Sequence, residues 1–123
     1  MPNFRPFGTR NALVEIAQQA EALGYDSIWA TDVVVQTRSP DDERFSYALE
    51  ALTVTTYLAA LTAHVQLGIS VLVLPQRSPV LVAKEVATLD CLSGGRVVLG
   101  VGAGYHEMQF RWRATVQSEI ASH

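Results

Sequence analysis

Across residues 65–74, VQLGISVLVL, polar side chains occur only at Gln66 and Ser70. A strand that does not alternate in polarity must be covered on both faces, as in a parallel sheet and unlike a half-solvated antiparallel one. Parallel neighbours are joined only by crossovers of a dozen or more residues, so helices are expected on either side of this strand.

The flanking sequence supplies them. From residue 9 to 24 the apolar residues Leu13, Ile16, Ala20 and Leu23 recur at helical spacing, with Thr9 or Asn11 as N-cap and Gly24 just past the end. Residues 25–31, YDSIWAT, read as a short strand running into Asp32. Helical spacing returns over about 47–62 through Ala48, Leu52, Thr55 and Ala59, with threonines that weaken its intrinsic propensity. Pro75 closes the apolar strand. Ser78 and Pro79 then form an N-cap and N1 pair for a third helix, which buries Val82, Val86 and Leu89 and stops at Gly94 and Gly95. Residues 96–101, RVVLGV, read as the next buried strand. This alternation predicts an α/β fold with a parallel sheet. Residues 36–46, polar and without period, predict a long surface loop.

Composition narrows the function classes. A chain of 123 residues can bury about two-thirds of its unfolded surface, and 49% apolar with 17% charged residues is a globular balance. No apolar stretch reaches the ~18 residues of a membrane span, and the N-terminal MPNFRPFGTR lacks the apolar core of a secretory signal, so the cytoplasm is expected. A net charge of -3 and a pI near 5.5 argue against a nucleic-acid partner. Cys91 is the only cysteine, expected as a buried, inert thiol, and His64, His106 and His123 lack metal-site spacing, so no metal is assigned.

Three segments can carry chemistry. Gly100, Gly102 and Gly104 alternate at the end of the last strand, which either opens one face to a flat ring or phosphate or serves close packing between layers. The triplet is neither a dinucleotide-binding fingerprint, which would need glycine in place of Glu107, nor a P-loop. The turn after residues 69–74 leads into a helix N-terminus with Arg77 beside it, either an anion site or an ordinary turn with Arg77 in solvent. Asp32 stands at a strand's C-terminal end, either where parallel barrels do their chemistry or as a plain cap or loop aspartate. Asp90 is expected to pair with Arg96 across the third helix-to-strand turn. Lys84, Glu85 and His64 are expected on the surface.

Together, AEALGYDSIWATD (residues 20–32) and LGISVLVLPQRSPVLVAKEVATLDCLSGGRVVLGVGAG (residues 67–104) resemble the luciferase-like monooxygenase superfamily, most strongly its branch that uses the deazaflavin F420. The resemblance covers about residues 2–110, with 111–123 a divergent tail. It implies a (β/α)₈ barrel that binds F420, or alternatively FMN, and transfers a hydride to or from a small organic substrate. Carried over by position, Asp32 is the catalytic or cofactor-facing acid. Ser70 and Val71 match a non-prolyl cis step behind the ring, and Gly102, Ala103, Gly104 and Tyr105 line the same pocket. Many F420-dependent members place a histidine after the aspartate for proton transfer; Val33 stands there, so that step is not carried over.

The resemblance also sets the expected extent. The chain is read as a partial TIM barrel, strands two to four with helices one to three, in one truncated domain of residues 1–123. Its two open sheet edges predict a homo-oligomer. The alternative to an oxidoreductase is a non-catalytic α/β module that associates through those edges.

Overall fold

The computed structural model describes residues 1–34 and 47–104. Six principal elements follow in the expected alternation: α1 (Arg10–Ala22), β1 (Ser27–Ala30), α2 (Ala51–Ala59), β2 (Gln66–Val73), α3 (Pro79–Ser93) and β3 (Val97–Gly102). The strands form one parallel sheet in the order β1-β2-β3. The expected loop at 36–46, Tyr105 and the tail lie outside the described residues.

β2 is central because its inward side chains serve two core clusters. Leu67 packs with Leu13 and Ala17 of α1, Ile28 of β1 and Val54 and Leu58 of α2. Ile69 and Leu72 pack with Ala30, Ala51, Leu52 and Val82 of α3. All three β2 side chains are at most 1% exposed, and each such leucine or isoleucine contributes about 1.5–3 kcal/mol by leaving water. The cover expected on both faces is therefore found on the helical face. On the other, Trp29 lies over Gly68, whereas Ser70 and Val71 are exposed.

Local chemistry sets the helix ends. Thr9 caps α1 by accepting from the Ala12 N–H, and Gly24 and Gly94 take left-handed conformations just past α1 and α3. α2 is shorter than its spacing suggests. Phe4 pairs with Ala48 in an antiparallel bridge, which commits the backbone before Glu50 to extended structure, and the Glu50 carboxylate accepts from Leu52 and Thr53 N–H to start the helix. β1 likewise covers four residues where seven were expected, because only Ser27–Ala30 pair with β2.

Several side chains lie elsewhere than expected. Leu23 is 76% exposed, and α1 buries Ala17 in its place, one turn after Leu13. Cys91 is exposed, because it stands two residues, about 200° of helix, from the buried Leu89. β3 is an edge among the described residues, with Leu99 37% and Val101 52% exposed, not the buried strand its apolar sequence suggests. Asp90 and Arg96 do not pair. Asp90 accepts from the Val97 N–H, and Arg96 donates to the carbonyls of Ala59, Thr62, Val65 and Ser93, closing the end of α2 with a C-terminal cation.

Glu21 secures the approach to β2. Its carboxylate accepts from the backbone N–H groups of Ala63, His64 and Val65 at 2.6–3.0 Å. These bonds, His64 first, lower its pKa from 4.5 to about 2. A carboxylate depressed by folding stabilises above its unfolded pKa and loses that contribution as pH falls through the folded value. Glu21→Gln is expected to lower the Tm at pH 7 by roughly 3–6 °C. The gap between the two proteins should close between pH 4.5 and about 2, which thermal melts across that range would check.

Candidate functional site

The three strands end together. Val73 lies in register with Gly102, and Asp32 follows β1 by two residues. Between Ile69 and Leu72 the register shifts, and the Ser70–Val71 peptide bond within the shift is cis. Ile69 and Leu72 both belong to the helical-side core, so the two intervening residues are turned out of it, and Val71 is 42% exposed.

Val71 then needs room beside β3, which the glycines supply. A Cβ at Gly102 would lie 2.7 Å from Val71 Cγ2, and one at Gly100 would lie 2.7 Å from the Ile69 carbonyl oxygen. Close packing thus accounts for these two glycines directly: they admit the bulge. Any ligand at this strand end would meet Val71 in front of them. Ala103 is exposed and Gly104 half-buried at the end of β3.

Asp32 is buried, with no exposed side-chain surface. Oδ2 accepts from the Val73 N–H at 2.9 Å and Arg77 Nε at 3.4 Å, and Oδ1 accepts from Arg77 Nη2 at 2.6 Å. Arg77 Nη2 also reaches Glu50 Oε1 at 2.7 Å. Burial opposes the charge on Arg77, but Asp32 and then Glu50 outweigh it and hold the guanidinium above its ordinary pKa. Burial opposes the Glu50 carboxylate too, yet hydrogen bonds from Thr53, Leu52 and Arg77 keep it below its ordinary pKa. Arg77 is therefore neither free in solvent nor available to an anion at the α3 N-terminus.

The network links the ends of β1 and β2 to the start of α2. Asn3, fully buried, ties in the N-terminal segment: Nδ2 donates to the Thr31 and Leu49 carbonyls, and Oδ1 accepts from the Thr31 N–H. Asp32, Ser70, Val71 and Gly102 are thus gathered at one end of the sheet. Arg77 and Glu50 were legible as charged residues near turns, but their pairing is a tertiary fact. Gln76, in the 3₁₀ turn Leu74–Gln76, carries a buried side-chain amide with no hydrogen-bond partner among the described residues, and nothing local in the sequence marks it. No helix among the described residues is long and apolar enough to cross a membrane.

The F420-dependent glucose-6-phosphate dehydrogenase of Kineococcus radiotolerans is 42% identical over 93 residues, 75% of this chain and 26% of that protein. Its namesake from Amycolatopsis mediterranei is 41% identical over 99 residues, 80% of this chain and 28% of that protein. The chain therefore spans about a quarter of the length of these relatives. Among solved structures, the oxygenating constituent of 3,6-diketocamphane monooxygenase from Pseudomonas putida, in complex with FMN, superposes with a TM-score of 0.73 at 21% identity, over 91% of this chain and 30% of that one. The coenzyme F420-dependent tetrahydromethanopterin reductase of Methanopyrus kandleri gives 0.67 at 25% identity, over 89% and 28%. The family model for luciferase-like monooxygenases matches residues 6–119, and with that coverage the chain belongs to the luciferase-like monooxygenase family.

Proposed function

We propose that this chain forms one wall of the cofactor site of an oxidoreductase that passes a hydride between F420, or FMN, and a small organic substrate. The observation that carries the reading is the bulge at Ser70 and Val71. It presents an exposed apolar side chain at the C-terminal end of a parallel sheet, on the face turned away from the helices. The described residues fit a flat, largely apolar ring: Val71 projects beside two glycines, and the one buried acid there, Asp32, is already neutralised by Arg77. Ser70, Val71, Gly102, Ala103, Gly104 and Tyr105 would hold the cofactor. A flavin or deazaflavin, when bound, supplies the hydride chemistry itself.

The chain's own residues orient and exclude water. Asp32 does so indirectly: both of its oxygens are engaged, so it fixes the end of β2 through the Val73 N–H and does not face a ligand. The F420-dependent relatives favour the deazaflavin over FMN. Titration of the purified chain with F420 and with FMN, followed by cofactor fluorescence, is expected to show saturable quenching. Val71→Asp, which leaves the core untouched, should weaken binding at least about tenfold by setting a charge against the ring. No change in fluorescence at high micromolar cofactor would sink the reading.

A second reading has one observation in its favour. β3 is an edge among the described residues and exposes Leu99 and Val101, as a strand that pairs with another chain would. Size-exclusion chromatography of the same samples separates the two: a stable oligomer that ignores both cofactors supports an association module.

A further inference from the structure

The N-terminal segment and the starts of α1 and α2 enclose a pocket of about 760 Å³, within the roughly 300–1,000 Å³ of sites that hold small molecules. Its floor is apolar: Leu13 and Val54 are buried core residues, and Leu49 packs against them. Tyr47 and Tyr57 line it as well. Backbone pairing holds the frame, since Phe4 bridges Ala48 and the Arg5 N–H donates to the Tyr47 carbonyl at 3.2 Å.

Charge narrows what such a pocket takes. Arg5 and Arg10, both exposed, stand at its rim. Each leans on one tyrosine: the Arg5 guanidinium lies 4.5 Å from the centre of the Tyr47 ring, and Arg10 Nε donates to the Tyr57 hydroxyl at 2.9 Å. Neither has a carboxylate within ion-pair distance among the described residues. Glu50, the one acid lining the pocket among those residues, is committed to Arg77 and to the N–H groups of Leu52 and Thr53. An apolar floor with aromatic sides thus meets two guanidiniums whose remaining donors have no anion. The planar guanidinium fork matches the paired oxygens of a carboxylate or phosphate. We propose that this pocket binds a small organic anion, a carboxylate or phosphate ester on a flat apolar body, with the head group on Arg5 and Arg10 and the body on the floor. The pocket lies among the helices, whereas Val71 is on the other face of the sheet. This site is therefore separate from the cofactor wall and does not depend on it.

Titration of the wild-type chain with naphthoate, naphthyl phosphate and uncharged naphthamide, followed by backbone amide resonances, tests the assignment. Saturable shifts are expected at Thr9, Leu13 and Val54. The better of the two anions should bind about tenfold more tightly than naphthamide, the effect of a charge-assisted hydrogen bond, and which anion that is identifies the head group. Replacing both arginines, Arg5→Gln with Arg10→Gln, should bring that anion down to the level of naphthamide and leave naphthamide unchanged. Naphthamide binding as tightly as both anions overturns the proposal, because the pocket is then merely apolar; this comparison needs no variant to fold. Anion binding that survives the loss of both arginines overturns it too, as do shifts confined to β3 and Val71 or no binding at millimolar ligand. A wild type that binds naphthoate but neither F420 nor FMN would defeat the cofactor reading and leave this one standing.

Discussion

Arg77→Met is expected to cost about 3 kcal/mol of folding stability, the low end of what removing one partner of a buried ion pair costs. The reason is what it strands. Asp32 has no exposed side-chain surface, and its Oδ1 has no other hydrogen-bond donor among the described residues, so the charge would stay in the core with one Val73 N–H to hold it. Glu50 loses less, since its side chain is 38% exposed and keeps the Leu52 and Thr53 donors. Asp32→Asn should therefore cost less than Arg77→Met. The asparagine leaves no anion behind, can still accept from Val73, and leaves Arg77 paired with Glu50. Urea unfolding of the two variants checks the order. Equal losses would mean that the network has no buried centre and that Asp32 is solvated in practice. Cofactor binding by Arg77→Met, measured where the variant is folded, shows whether anchoring β2 past the bulge matters to the pocket.

The alternation of elements was legible in the sequence because each signal was local. An unbroken apolar run, a proline-started helix and glycine stops need no tertiary knowledge to read. The errors came where a distant partner decided the outcome. Residues 47–50 have helical spacing, yet the bridge to Phe4 holds them extended. The apolar sequence of β3 implied burial, but burial depends on neighbours, and among the described residues β3 has one strand beside it. Asp90 and Arg96 are close in sequence and opposite in charge, but the four carbonyls around the guanidinium were a better match for its donors.

The candidate site divides the same way. The step at Ser70 and Val71 was reachable only through family resemblance, since no propensity rule marks it. The alternating glycines could be read from spacing as an opening for either a ligand or a packed side chain, and only the position of Val71 distinguishes the two. Asp32 was correctly placed at a strand end, but its engagement by Arg77 and Val73, 45 and 41 residues away, was invisible.

Gly68→Ala is expected to be the other large loss, about 2–3 kcal/mol from one methyl group. A Cβ there would lie 2.3 Å from Trp29 Cδ2, 2.4 Å from Cε3 and 2.7 Å from Cε2. These atoms belong to the fused body of the indole and not to the far end of a flexible chain, so the whole ring would have to swing. Trp29 pairs directly with Gly68 in the sheet register, and its Nε1–H is held by Ser27 Oγ at 2.8 Å, so swinging breaks that bond and uncovers the backbone of β2. A strand glycine is the sequence sign of such an approach, but the approaching group comes from another strand. The cause can be isolated: in a Trp29→Leu background the same Gly68→Ala change should cost less than about 1 kcal/mol, a coupling well above the ~0.5 kcal/mol scatter of independent sites. Additive losses would show that the glycine is needed for its backbone and not for the ring. If the coupling holds, Trp29 is the cover over the first half of the non-helical sheet face, and the half left to a ligand begins at Ser70.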